Sequence, residues 1–160
     1  MNWWTRQKPS LAAESSEEAT RHVRTEGLWI KCDNCRQIIW RKALEEENQV
    51  CPKCQFHFRI DAVSRLNLLF DGAEWEELDR GLVSTDPLEF FDSKPYVERL
   101  AAMQKTTQLP DAVVSGRGGL DGRRVNICAL ELKFIGGSMG SVMGEKITRA
   151  IERSLADRDP

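Results

Sequence analysis

The sequence lacks any run approaching the ~18 apolar residues that a membrane helix needs. Its opening, Met1-Asn2-Trp3-Trp4-Thr5-Arg6, lacks the apolar core of a secretory signal. It also lacks an excess of charge of one sign: 23 Lys+Arg stand against 25 Asp+Glu, for a formal net charge of -2. Nothing in that balance calls for a histone-like nucleic-acid coat or an anionic membrane surface. Internal repeats and low-complexity tracts are absent too. What remains, 30% charged and 41% apolar residues, suits a globular protein and is too apolar for a wholly disordered one. A length of 160 residues allows one ordinary domain, or one domain with a small module. The expected setting is cytoplasmic and reducing. There, five cysteines serve as metal ligands, catalysts or core residues sooner than as disulfides.

Four of the five cysteines form a pattern. Cys32-x2-Cys35, fifteen intervening residues, then Cys51-x2-Cys54 falls inside the zinc-ribbon template. Zinc prefers four tetrahedral thiolates, and two tight knuckles supply them without strain. A redox reading is weaker, since one Cys-x2-Cys pair would suffice and neither pair opens a long helix. With four protein ligands the site is structural, because a catalytic zinc keeps one position open for water. His57, three residues past Cys54, reads as a surface histidine with a spare-ligand role as the alternative. Cys128 reads as core, and His22 is assigned nothing. Ribbons often touch nucleic acid, yet residues 28–60 hold six basic against four acidic side chains. Four thiolates and one zinc ion bring that balance to about zero, so nucleic acid binding is unsupported.

The chain divides into a flexible lead-in over 1–27, the ribbon over 28–58 and a third unit over 59–160. In the lead-in, Trp3 and Trp4 pack on the body or anchor a partner, and Leu11 to Thr25 allows a short solvated helix. Within the ribbon, Ile38 to Trp40 reads as a strand and Glu45-Glu46-Glu47-Asn48 as a solvated turn. Asp61 reads as the N-cap of a helix to Phe70, with Val63, Leu66, Leu69 and Phe70 on one face. Trp75 and Leu78 mark a short strand, and Tyr96, Leu100 and Met103 mark a second helix. Ala112-Val113-Val114 starts a strand that Gly116, Gly118 and Gly119 interrupt. Asp121-Gly122 is a hairpin turn, since both residues tolerate positive φ. The return strand, Val125 to Phe134, shifts phase midway and is apolar on both faces, as in a strand buried between layers. Met139, Val142, Met143, Ile147, Ala150, Ile151 and Leu155 share one face of a final helix.

Between that strand and that helix lies Gly136-Gly137-Ser138-Met139-Gly140-Ser141. It is not G-x-G-x-x-G, and no G-K-[ST] of a P-loop occurs, so Rossmann and NTPase readings fail. Glycines let a ligand approach the backbone, and a helix start offers free N–H groups to an anion or polarised carbonyl. By itself the loop is equally a tight strand-to-helix turn.

Phe134-Ile135-Gly136-Gly137-Ser138-Met139-Gly140-Ser141-Val142-Met143-Gly144-Glu145-Lys146-Ile147 resembles a signature of the carboxyltransferase β subunit of bacterial and plastid acetyl-CoA carboxylase. So do the ribbon opening Leu28-Trp29-Ile30-Lys31-Cys32 and the stretch Phe91-Asp92-Ser93-Lys94-Pro95-Tyr96. The resemblance covers about residues 27–160. It implies an α/β fold of crotonase/ClpP-like type, incomplete here, behind an N-terminal zinc ribbon. It also implies one structural zinc per chain on Cys32, Cys35, Cys51 and Cys54, with biotin reaching the site only on its carrier protein. The implied partners are the carboxyltransferase α subunit, the biotin carboxyl carrier protein, biotin carboxylase and acetyl-CoA/malonyl-CoA, with no membrane. The implied reaction moves a carboxyl group from carboxybiotin to acetyl-CoA, giving malonyl-CoA for fatty acid synthesis. Gly136, Gly137, Ser138, Met139 and Gly140 match a segment lying beside the CoA, and no catalytic residue is assigned. The family continues beyond Pro160, so the expectation is a truncated chain, inactive in isolation. The competing function is a stand-alone zinc-ribbon module that binds nucleic acid or protein.

Overall fold

The computed structural model describes residues 27–160. The expectations for Trp3, Trp4, His22 and a helix from Leu11 to Thr25 lie outside the described residues. Strands β1 (Trp29–Lys31) and β2 (Ile38–Trp40) pair antiparallel, with Ile30 opposite Ile39. The period of two sends Ile39 inward with Leu44, Cys32 and Cys51, and leaves Trp29, Ile38 and Trp40 exposed. Helix α1 (Arg41–Glu46) follows at once. The turn expected over Glu45–Asn48 therefore begins later, and Glu45 and Glu46 close a helix. Leu44 is its one buried residue, so the segment has no apolar periodicity to read. The turn itself falls at Asn48 and Gln49, both with positive φ.

Helix α2 (Ala62–Leu69) starts where Asp61 predicts. One Asp61 carboxylate oxygen accepts the Ser64 N–H at 2.8 Å, and the other accepts its hydroxyl at 2.9 Å. Burial raises the Asp61 pKa, but these two hydrogen bonds outweigh it and hold the group below the usual carboxylate range. The buried stripe is Ala62, Leu66 and Phe70, a spacing of four. Val63 and Leu69, expected on that face, are exposed.

Strands β3 (Trp75–Leu78), β4 (Val113–Leu120) and β5 (Arg123–Leu130) form one antiparallel sheet in the order β3-β4-β5. Helix α3 (Tyr96–Thr107) stands between β3 and β4 in sequence. The glycines do not interrupt β4. A Cβ at Gly116 would lie 2.8 Å from the Trp75 ring, and one at Gly118 would lie 2.6 Å from the Phe70 ring. The missing side chains are thus room for two aromatics, which stack with centroids 6.1 Å apart. Asp121-Gly122 makes the predicted two-residue turn, with both φ positive and Leu120 opposite Arg123.

The return strand ends at Leu130, four residues before Phe134. Buried Glu131 turns the chain: its carboxylate accepts the Ala62 N–H at 3.1 Å and the Lys133 N–H at 2.9 Å. The phase shift in the apolar alternation marks this exit. Helix α4 (Ser141–Asp157) begins after Met139, which is 72% exposed. Val142, Met143, Lys146 and Ala150 are its buried residues, whereas Ile151 and Leu155, expected with them, are exposed.

The sheet has a layer on each side. Val114, Val125 and Ala129 pack with Ala62, Leu66 and Phe70 of the α2 segment. Val113 and Ala112 pack on the opposite side with Leu100 of α3, Met143 of α4 and Phe134. Adjacent valines pointing into different cores explain why the β4 start is apolar without alternation.

Candidate metal centre and ligand cleft

The two cysteine knuckles have one backbone design. The Cys32 N–H donates to the Gln37 carbonyl at 2.9 Å, and the Arg36 N–H donates to the Cys32 carbonyl at 2.9 Å. In the second knuckle, the Cys51 N–H donates to the Phe56 carbonyl and the Gln55 N–H to the Cys51 carbonyl, each at 2.8 Å. Arg36 and Gln55 hold the same position and both have positive φ, 60° and 61°. Each knuckle thereby aims two sulfurs at a common point.

The four sulfurs lie within 4.8 Å of one another. Cys32 and Cys54 Sγ are 3.7 Å apart, and Cys35 and Cys51 Sγ are 3.8 Å apart. A tetrahedron with Zn–S bonds of about 2.3 Å has an edge of about 3.8 Å, so the residues fit a zinc ion. None of the four is in a disulfide. The Asn34 amide donates to Cys54 Sγ at 3.5 Å; against burial, it and the Phe56 N–H lower that thiol to about 6. The Gln37 N–H favours the Cys35 thiolate, but burial and the three neighbouring sulfurs prevail and push it up to about 12. Thiols this crowded resist shared ionisation without a cation. His57 is exposed, pairs backbone-to-backbone with Val50 and is not part of the sulfur cluster. Cys128 is half-buried against the α3/α4 core.

A cleft of about 410 Å³ opens where the loop 84–90, α3 and the start of α4 meet. Ser138 and Gly140 line it. The other residues of the expected glycine loop do not. Gly136 and Gly137 form the turn after Phe134, with φ of 67° and 73°, and Met139 projects into solvent. Gly140 stands at the N-cap of α4 and no side chain caps the helix, so its first N–H groups are left open at the cleft rim.

Arg99 and Asp111 belong to no sequence motif, and Lys146 lies in the signature that follows the glycine loop without an assigned role. Arg99 lines the cleft and donates to Asp92, whose pKa its guanidinium and the neighbouring N–H groups hold far below the usual range. Asp111 lines it too, 5% exposed, and its pKa is pushed up by burial. Lys146 is fully buried, its Nζ donating to the Val113 carbonyl at 3.1 Å. Burial pulls its pKa down, opposed by Asp111, Glu77 and Asp79. A signal for Lys146 was present: it takes the place of an apolar residue midway between Val142 and Ala150.

The description "Acetyl-CoA carboxylase zinc finger domain" belongs to the family model matching residues 29–54. "Carboxyl transferase domain" describes the one matching residues 62–160. A protein of Synechococcus sp. (strain JA-3-3Ab) named acetyl-coenzyme A carboxylase carboxyl transferase subunit beta is 48% identical over 153 residues, 94% of this chain and 49% of its own. Relatives of the same name occur in Citrifermentans bemidjiense, 45% identical over 100% of this chain and 56% of its own, and in Pyropia yezoensis, there chloroplastic, 38% identical over 98% and 54%. The chain spans about half the length of the curated relatives it matches. Among solved structures, a transcarboxylase 12S chain aligns with TM-score 0.48 and 22% identity, over 74% of this chain and 19% of that one. With a match that covers most of the chain, behind a segment that matches the acetyl-CoA carboxylase zinc finger, this protein belongs to the carboxyl transferase family.

Proposed function

We propose that this chain works as part of the β subunit of an acetyl-CoA carboxylase carboxyltransferase. With an α subunit it moves the carboxyl group from carboxybiotin, held on the biotin carboxyl carrier protein and recharged by biotin carboxylase, to acetyl-CoA. The observation that carries this reading is the order on one chain: a sulfur quartet of zinc dimensions, then the carboxyl transferase segment with its strand, glycine loop and uncapped helix start. In this reading residues 28–58 form a ribbon domain and residues 59–160 belong to the catalytic domain. Zinc on Cys32, Cys35, Cys51 and Cys54 supplies folding free energy and no chemistry, since no ligand position is open to water. The Gly136–Gly140 loop passes beside the CoA. Carboxyl transfer to acetyl-CoA proceeds through an enolate whose oxygen needs preorganised N–H donors, and a cytoplasmic location suits the substrate.

A stand-alone ribbon module accounts for residues 28–58 only and leaves the match over residues 62–160 without a role. The test is a chimera in which this chain replaces the matching half of the Synechococcus β subunit. Mixed with that organism's α subunit, malonyl-CoA and biocytin, it is expected to release acetyl-CoA well above background. A folded, zinc-loaded chimera with no turnover defeats the proposal.

A further inference from the structure

We propose that Asp79 is a positioning residue: by binding Arg149 and Arg153 it stops α4 from sliding along the sheet, and so holds the Gly136–Gly140 loop in place. The inference rests on the β-subunit reading for what that loop serves. The lock itself follows from the packing of α4.

Apolar packing alone defines the seat of α4 loosely. Of its 17 residues only Val142, Met143, Lys146 and Ala150 are buried. Met143 is the one large apolar side chain among them that is fully buried. Apolar contact is non-directional, so it resists a small slide or twist of the helix weakly. Directional bonds come instead from three cations, Lys146, Arg149 and Arg153, whose spacing puts them on one side of the helix. Lys146 Nζ donates to the Val113 carbonyl at the start of β4, at 3.1 Å. Arg149 Nη1 donates to Asp79 Oδ1 at 3.3 Å, and Arg153 Nη2 donates to the same oxygen at 2.8 Å. Asp79 Oδ2 also lies 2.7 Å from Arg153 Nη2.

Asp79 is placed for this contact. It follows β3 directly, with φ of 56°, a left-handed conformation that aspartate tolerates, and its side chain is 8% exposed. Neighbouring carboxylates are engaged elsewhere: Glu77 with Arg80 at 2.7 Å, and Asp159 with Arg117 and Arg124. The other partner of Arg149 is Glu145 at 2.8 Å. That bond lies within α4, moves with the helix and anchors it to nothing. Asp79 therefore ties α4 to the end of one strand while Lys146 ties it to the start of the next strand in the sheet. A largely buried ion pair adds little net stability, but its hydrogen-bond geometry admits one arrangement. A helix moves as a rod, so a slide at Arg149 reaches Gly140, about 14 Å away along the axis, undiminished. A displacement of about 1 Å can cost about 100-fold in rate.

The test joins amide exchange of the 160-residue chain to steady-state kinetics of the chimera with the Synechococcus half. The variants are Asp79→Asn and, as the milder change, Arg153→Gln. Both are expected to raise the exchange rates of residues 136–144 about tenfold while the ribbon and β5 keep theirs and zinc content stays intact. In the chimera, with α subunit, malonyl-CoA and biocytin, both are expected to raise the malonyl-CoA KM about tenfold and leave the biocytin KM unchanged. A mere loss of stability would instead lower kcat by removing folded enzyme and leave both KM values as they were. The double variant should lose no more than Asp79→Asn alone, since the two residues act through one contact. Unchanged exchange over 136–144 in both single variants overturns the lock, as does a rise spread evenly over the chain. A local rise with the malonyl-CoA KM unchanged overturns the tie to the loop's ligand. A chimera inactive before any substitution defeats the β-subunit reading alone, and the exchange rates still decide the lock.

Discussion

Replacing Gly118 by alanine tests whether the glycines of β4 are there to admit aromatic rings. The added methyl would sit 2.6 Å and 3.0 Å from two Phe70 ring carbons and 2.8 Å from the Glu74 carbonyl oxygen. The last contact is backbone and cannot be relieved by a rotamer change. Phe70 is 3% exposed and stacked on Trp75, so its ring has little free space to enter. Overpacking of this kind destabilises by about 1–3 kcal/mol. Alanine also narrows the unfolded ensemble, which stabilises by about 0.4–1 kcal/mol at a compatible site. The steric effect prevails, and the net loss is expected to be about 1–2 kcal/mol by urea unfolding. Phe70→Leu alone is expected to lose about 1 kcal/mol while opening space at the same spot. The double variant should then be more stable than the two losses predict, by about 1 kcal/mol, as contacting residues couple. Strict additivity, or a neutral Gly118→Ala, would refute the reasoning, because the glycine would then answer to something other than Phe70.

Cys51→Ser should lower zinc content by metal analysis and abolish amide-exchange protection over residues 28–58 while β4 and β5 keep theirs; full zinc occupancy would contradict it. Asp61→Ala should lose about 1 kcal/mol at neutral pH. Because the folded-state pKa of Asp61 is depressed, this difference should be complete above the ordinary aspartate pKa and fade as pH falls through the folded value; a pH-independent difference in unfolding free energy would refute it. Lys146, with its folded pKa depressed by burial, should make the protein more stable as pH rises toward the ordinary lysine pKa, since the unfolded chain holds the extra proton. Lys146→Met should remove that rise from the unfolding profile. Exposed Ile151 and Leu155 on α4, with Leu130 and Leu132, should make the chain self-associate; a concentration-independent monomer in sedimentation would count against it.

The metal centre was the most legible part of the sequence, because two short spacings set all four ligands and their chemistry together. The Asp61 cap and the Asp121-Gly122 turn were equally local and appear where expected. Errors arose where a distant partner decides. Gly116 and Gly118 read as breaks until Phe70 and Trp75 fill the space above them. Glu131 ends β5 by bonding Ala62, a residue 69 positions away. The cleft was only half legible: the glycine loop pointed to it through Ser138 and Gly140, but Asp111 and Arg99 join it through the packing of α3 and β4. Lone charged residues carry no spacing that marks them.

The matching backbone of the two knuckles bears on how a metal ion enters and leaves. Each knuckle closes on itself through two hydrogen bonds within six residues, so an arriving ion meets two bidentate claws instead of four separate thiols. Once one sulfur of a claw has bound, the second is held at high effective concentration. Joining the claws requires closing one further loop, from Cys35 to Cys51. Metal exchange should accordingly run through a half-coordinated species. A competing chelator can hold the ion from the vacated side while the other claw lets go, and the release rate should rise with chelator concentration instead of levelling at a fixed dissociation rate.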